Sequence, residues 1–173
     1  MSLHIIIDGY NLIYQSEAFS PLNASDIETA RDALVTALAA YKRLKAHKIT
    51  VVFDGRSELN GFSKKYQRKG IHIRFSSNRE TADHVIKRMT AREREKALVV
   101  SSDREIVTYA ESKGSATISS PLFEERMHLA TSSITDETDP EIHSGWVPTT
   151  KKKGPRRRLS KQQRRNRMKR NKL

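Results

Sequence analysis

The sequence contains no cysteine. That excludes disulfides, thiolate metal sites and cysteine nucleophiles together, and it fits a reducing, cytoplasmic setting. No apolar run approaches the roughly 18 residues of a membrane span. The N-terminus enters a strand-like run without the basic region and long apolar segment of an export signal, so a soluble chain that neither spans nor is exported is expected. A Gly-x-Gly-x-x-Gly loop and a Walker loop are also missing, and nothing calls for a nucleotide cofactor. The six histidines, His4, His47, His72, His84, His128 and His143, lack metal-ligand spacing and read as surface or packing residues.

What is present is basic charge, and it is unevenly placed. The 173 residues, enough for one domain, carry a formal net charge of +13. Residues 151–173 hold six lysines and seven arginines with no acid, so they account for the whole excess. The preceding 150 residues are balanced. A basic tail on a neutral body points to a polyanionic partner, most simply RNA, free or in the ribosome. Without interleaved aromatics the tail is suited to phosphate contact rather than base stacking. It is expected to be disordered alone, and to bind RNA as a flexible polycation or as a helix formed on it. The cations assigned to this role are Lys151, Lys152, Lys153, Arg156, Arg157, Arg158, Arg164 and Arg165.

Along the body, strands and helices alternate. Residues 3–8, 49–54, 71–75, 97–102 and 116–118 read as strands. Ser25 with Glu28 three residues on reads as a capping box. Behind it Ile27, Ala30, Leu34, Leu38, Tyr41 and Leu44 mark the buried face of a helix near 26–46. Further helices are predicted near 80–95, 103–112 and from Ser120-Pro121 to about 130. Residues 55–70 read as a long exposed loop whose cations, Arg56, Lys64, Lys65, Arg68 and Lys69, are available to phosphate. The reading is therefore a three-layer α/β domain over 1–135 with a mainly parallel sheet, a linker over 136–150 that contains the sole tryptophan, Trp146, and the basic tail over 151–173.

The chemistry is carried by acids at the strand ends. Asp8 closes Ile5-Ile6-Ile7, Asp54 closes Val51-Val52-Phe53, and Asp103 follows Val99-Val100-Ser101-Ser102. Asp83 stands three residues after Glu80 at a helix start, so both carboxylates share one face. In open α/β sheets the C-terminal strand edge is where ligands bind. Each acid alone is equally explained by turn chemistry or helix capping. Delivered to one edge, they repel, and a hard divalent cation relieves that repulsion. Gly9 permits a tight turn that leaves Asp8 and Asn11 facing the same space.

Asp8-Gly9-Tyr10-Asn11, the Val-Val-Phe-Asp strand, Glu80-Thr81-Ala82-Asp83 and Ser101-Ser102-Asp103 together resemble the PIN-like nuclease superfamily, and within it the YacP-like NYN domains. The resemblance spans about residues 3–130 and leaves the tail uncovered. It implies a PIN-like fold and a Mg²⁺- or Mn²⁺-dependent ribonuclease. It also implies Asp8, Asp83 and Asp103 as core metal carboxylates, Asp54 and Glu80 as supporting ones, and Asn11 and Ser102 as positioning residues. Gly55-Arg56 departs from the pattern by setting a cation beside Asp54.

Phosphodiester cleavage needs an activated water and relief of charge on the phosphoryl group. One Mg²⁺ held by one or two carboxylates supplies both. Two ions roughly 3.5–4 Å apart serve attacking and leaving oxygens. The resulting expectation is a cytoplasmic, metal-dependent endoribonuclease, with a non-catalytic RNA- or ribosome-binding scaffold as the alternative. A phosphatase would leave the tail unused, and the residues after Asp8 lack the second aspartate it needs.

Overall fold

The computed structural model of the protein describes residues 2–55, 65–132 and 160–173. Fully buried apolar runs form the central strands: β1 (His4–Asp8), β2 (Lys48–Phe53, exposed only at its first residue) and β5 (Ala97–Val100). Strands buried on both faces belong inside a parallel sheet covered by helices. Flanking them are β4 (Ile71–Phe75), which alternates buried and half-buried residues, β6 (Ala116–Ile118), and the exposed β3 (Lys65–Arg68). The six strands lie in the order β3-β4-β2-β1-β5-β6. Among the described residues only the β3–β4 pair is antiparallel.

One face of the sheet packs on α1 (Gly9–Gln15), α3 (Ile27–Leu44) and α6 (Ser120–Ser132), through a core that includes Ile5, Ile7, Leu34, Leu38, Tyr41, Phe53 and Phe123. The other packs on α4 (Ala82–Glu93) and α5 (Arg104–Ser112) through Ile6, Val52, Val85, Ile86, Val99 and Ile106. The expected three-layer α/β domain with a mainly parallel sheet is what the chain forms. A 3₁₀ turn at Arg94–Lys96 leads from α4 into β5.

Several local expectations are corrected. The α3 N-cap is Asp26, not Ser25: its carboxylate accepts the Glu28 and Thr29 amides, each at 3.1 Å. Ser25 instead ends a short helix, α2 (Ser20–Ser25). The predicted 55–70 loop contains β3, paired to β4 from Lys65 opposite Arg74 to Arg68 opposite Ile71. Residues 56–64, with Arg56 and Lys64, lie outside the described residues.

The tail expectation changes most. Residues 161–170 form α7 (Lys161–Arg170), opened by a reciprocal capping box between Ser160 and Gln163. The helix is docked against the β6 end of the domain. Arg165 pairs with Glu95 through contacts of 3.1 Å to both carboxylate oxygens. The Gln162 amide donates to the Glu111 carbonyl at 3.1 Å and Asn166 to the Ser115 carbonyl at 3.4 Å. Beyond the helix Leu173 is buried in the α1/α3/α6 core, and its carbonyl accepts the Tyr41 hydroxyl at 3.1 Å. A run that reads as a solvated polycation thus ends as part of the fold, because its partners are carbonyls and one acid far away in the chain. The linker, Trp146, Lys151, Lys152, Lys153, Arg156, Arg157 and Arg158 lie outside the described residues. Among the described residues no helix is long and apolar enough to cross a membrane.

Candidate active site

β1 lies at the centre of the sheet and ends on Asp8, a carboxylate only 9% exposed. The chain turns directly into α1, so Asp8 is also that helix's N-cap: Oδ1 accepts the Asn11 amide at 3.2 Å. The tightness of this turn depends on Gly9. A Cβ there would stand 2.3 Å from Cε1 of the buried Phe53 ring. The other Asp8 oxygen accepts the Ser101 hydroxyl at 3.2 Å, which joins β1 to the end of β5.

Asn11 ties the same edge together. Its side-chain oxygen accepts the Ser102 amide at 2.9 Å and the Ser120 hydroxyl at 2.7 Å. Ser102 Oγ in turn accepts the Ser120 amide at 3.2 Å, and Ser101 Oγ accepts the Asp103 amide at 3.1 Å. Three serines, Ser101, Ser102 and Ser120, and one asparagine therefore fix the starts of α1, α5 and α6 around Asp8.

Asp103 caps α5, its Oδ1 accepting the Glu105 and Ile106 amides at 2.7 and 3.3 Å. Asp83 stands in the first turn of α4, beyond the Thr81 N-cap. Both acids act on Asp8. Burial, then the nearby charges of Asp83 and Asp103, push the Asp8 carboxyl up from 3.8 to about 6, against the Asn11 and Ser101 hydrogen bonds that favour its ionised form. Asp83 is raised as well, by burial first and then by Asp103, with Lys87 opposing. The three carboxylates thus share one electrostatic environment. They do not form a preassembled cage: no group of three or more His, Cys, Asp or Glu side chains among the described residues is placed to hold a metal ion.

The supporting acids differ. Asp54 follows β2 and accepts the hydroxyl of buried Ser76 at 3.2 Å, while Ser76 Oγ accepts the Gly55 amide at 3.0 Å. Glu80 is engaged by Arg88, one of whose two contacts is 3.0 Å. Its carboxylate is therefore committed to a guanidinium on the next turns of α4. Of the expected loop cations, Arg68 pairs with Asp32 and Lys69 donates to Thr36 at 3.0 Å, while Lys65 is exposed on β3. Arg164 and Arg165 lie on α7, Arg165 held by Glu95.

Sequence reasoning missed two cations beside the Ser101-Ser102 turn. Arg104 and Arg170 line a cleft of about 380 Å³ with Ser101, Ser102 and Leu122. Arg104 follows Asp103 directly, a signal that was legible. Arg170 reaches the cleft only because α7 is docked.

The family model for the YacP-like NYN domain matches residues 5–172. The chain belongs to the YacP-like NYN domain family. The match runs through α7, so the family pattern extends beyond the 3–130 span of the resemblance and takes in most of the basic tail. YacP of Bacillus subtilis (strain 168) is 32% identical over 85 residues, a stretch covering 49% of this chain and 49% of that protein. The chain thus matches about half the length of this curated relative. Two crystal structures of Rae1 (YacP) from Bacillus subtilis share the fold. A mutant form superposes with a TM-score of 0.65 at 22% identity, covering 78% of this chain and 80% of that one. The other gives 0.64 at 25% identity over 78% of each chain. The NYN fold is nuclease-like, and the acids of this chain stand at the C-terminal strand edge, the side on which open α/β sheets bind ligands.

Proposed function

We propose that the protein is a Mg²⁺- or Mn²⁺-dependent ribonuclease that cuts RNA internally, in the cytoplasm, and grips its substrate through basic side chains. The observation that carries this reading is the Asp8 carboxyl, buried at the sheet edge and pushed up to about 6 in the company of Asp83 and Asp103. A carboxylate whose charged form is disfavoured first by burial and then by two nearby acids is costly in the free protein and well suited to a cation.

The donor set is all carboxylate oxygen, which suits hard octahedral ions. Asp8, Asp83 and Asp103 would hold the ion, with Asp54 close by; Glu80 would contribute through Arg88 rather than directly. When bound, the ion supplies charge relief on the phosphoryl oxygens and a more acidic water. The chain's own part is positional. Asn11, Ser101 and Ser102 hold the Asp8 and Asp103 turns in register. Arg104 and Arg170 offer donors to phosphate from the adjoining cleft. Lys65, Arg68, Lys69, Arg164 and Arg165, with Arg56, Lys64, Lys151, Lys152, Lys153, Arg156, Arg157 and Arg158, supply the wider cationic surface for RNA, free or in the ribosome.

A binding-only scaffold is favoured by one observation, the lack of a preassembled metal-holding group among the described residues. One experiment separates the two. RNA is incubated with the purified full chain in Mg²⁺ or Mn²⁺, with and without excess EDTA, beside Asp8→Asn and Asp83→Asn. The enzyme predicts cleavage lost in EDTA and in both variants. Binding without cleavage establishes the scaffold; cleavage indifferent to all three belongs to a contaminating nuclease and removes the metal-enzyme reading as well.

A further inference from the structure

The chain has only eleven aromatic residues, and five of them form one ladder. Tyr14 stacks on Tyr10 with ring centroids 5.9 Å apart and planes 27° from parallel. Tyr10 meets Phe53 at 5.2 Å, Phe53 stacks on Phe75 at 5.4 Å and 29°, and Phe75 on Tyr66 at 6.3 Å and 16°. The Arg31 guanidinium lies over Tyr10, Phe53 and Phe75, its carbon 5.6, 5.8 and 5.1 Å from the three centroids. It also donates to the Tyr10 hydroxyl at 2.6 Å.

A cluster held wholly inside the core would be closed at its ends. This one is buried in the middle, with Phe53 and Phe75 at 1% and 3% exposure, and open at both ends, with Tyr14 at 58% and Tyr66 at 48%. Beside the Tyr66 end is a groove of about 290 Å³, floored by Phe53 and Phe75 and walled by Tyr66, Arg31 and Arg68. Flat rings beside guanidinium planes are the surface on which unpaired bases stack.

The ladder's place matters as much as its chemistry. Phe53 and Phe75 are the last residues of β2 and β4, so the ladder runs along the same strand edge as Asp8. Tyr10 is two residues from Asp8, and Gly9 between them packs on the Phe53 ring.

Resting on the ribonuclease reading, we propose that this ladder is a stacking platform for unpaired bases of single-stranded RNA, with Tyr14 and the Tyr66 groove receiving bases on the α3 side of the acidic edge. A duplex keeps its base faces covered by its own neighbours, so the platform selects single strands. The basic surfaces, which grip phosphate, make no such distinction.

Binding is measured with the full-length chain in EDTA, where metal-dependent cleavage is suppressed. The probes are a labelled oligouridylate, the same strand paired with oligoadenylate, and inorganic polyphosphate, a polyanion without bases. Tyr14→Ala and Tyr66→Ala each lower oligouridylate affinity about tenfold, in line with the loss of one stacked base. They leave duplex and polyphosphate affinity unchanged, and Tyr14→Phe and Tyr66→Phe restore binding. Oligouridylate affinity that withstands both alanine changes overturns the platform while leaving the ribonuclease reading standing. So does an equal loss on polyphosphate, or a failure of phenylalanine to rescue. A full chain that binds no RNA at all overturns both.

Discussion

The hydroxyl of Ser120 donates to the side-chain oxygen of Asn11 at 2.7 Å, across 109 residues of chain. Because that oxygen also takes the Ser102 amide, a single amide group sets where three helices begin relative to β1. Asn11→Ala leaves the Ser102 amide and the Ser120 hydroxyl without their acceptor and is expected to cost about 1–3 kcal/mol. Asn11→Asp keeps the acceptors but sets another negative charge beside Asp8. It should fold with a smaller loss and a still higher Asp8 pKa. Urea denaturation and carboxyl titration by NMR check the pair.

Asp8 gives the stability a definite pH dependence. Its folded pKa, about 6, lies above its ordinary 3.8. Below about pH 4 the group is protonated in both states and costs nothing. Between about pH 4 and 6 the unfolded chain ionises first, so stability falls as pH rises, by up to about 3 kcal/mol, and stays lower above that window. Asp8→Asn removes this contribution. The metal-free variant should be more stable than the parent at pH 7 and close to it near pH 4, while losing RNA cleavage. Denaturant midpoints measured across pH decide this; a variant less stable than the parent at pH 7 would contradict it.

The same charge predicts a metal response. If a divalent cation binds at Asp8, Mg²⁺ or Mn²⁺ should raise the melting temperature at pH 7. The increase should shrink towards pH 4.5, where a proton occupies Asp8, and vanish in Asp8→Asn. Thermal melts at matched ionic strength separate binding at this site from general screening.

Gly9→Ala tests the turn beneath the acid. The added methyl would meet Phe53 Cε1 at 2.3 Å, Phe53 Cδ1 at 2.5 Å and Val51 Cγ1 at 2.9 Å, all side chains of the closed core. Overpacking of this kind costs about 1–3 kcal/mol. Since α1 starts here, Asp8 should shift with it, so activity should fall more than stability alone explains. Cleavage assayed well below the melting temperature distinguishes the two.

The docked tail makes a prediction opposite to that of a free polycation. Leu173→Ala removes a buried side chain from the core between α3 and α6 and should lower stability by about 2 kcal/mol. Removal of 160–173 should lower it further, with β6 losing its covering helix. Denaturation of the truncated chain checks this; an unchanged midpoint would mean that α7 contributes no packing.

The central strands were readable because burial on both faces leaves an unbroken apolar run, and Asp8 because it ends one. What escaped notice has no such pattern. β3 reads Lys-Tyr-Gln-Arg and is held by backbone pairing to β4, which side-chain periodicity does not register. α2 has Phe19 as its N-cap, which supplies no side-chain cap. The commitment of Glu80 to Arg88 needed the path of α4, and the docking of α7 needed Glu95, Glu111 and Ser115 in place. Charge composition reported how many cations the tail carries and was silent about where they sit.

Where they sit bears on kinetics. Six lysines and arginines of residues 161–170 are held on a docked helix at a fixed bearing from Asp8, Asp83 and Asp103, instead of being averaged over a moving chain. Among the described residues α7 therefore sets a fixed block of positive charge on the β6 side, with Arg170 lining the cleft beside Ser101 and Ser102. RNA binding as proposed would experience a torque as well as an attraction, and would meet the protein already turned. The benefit lies in the association rate, and it fades as salt shortens the reach of the field.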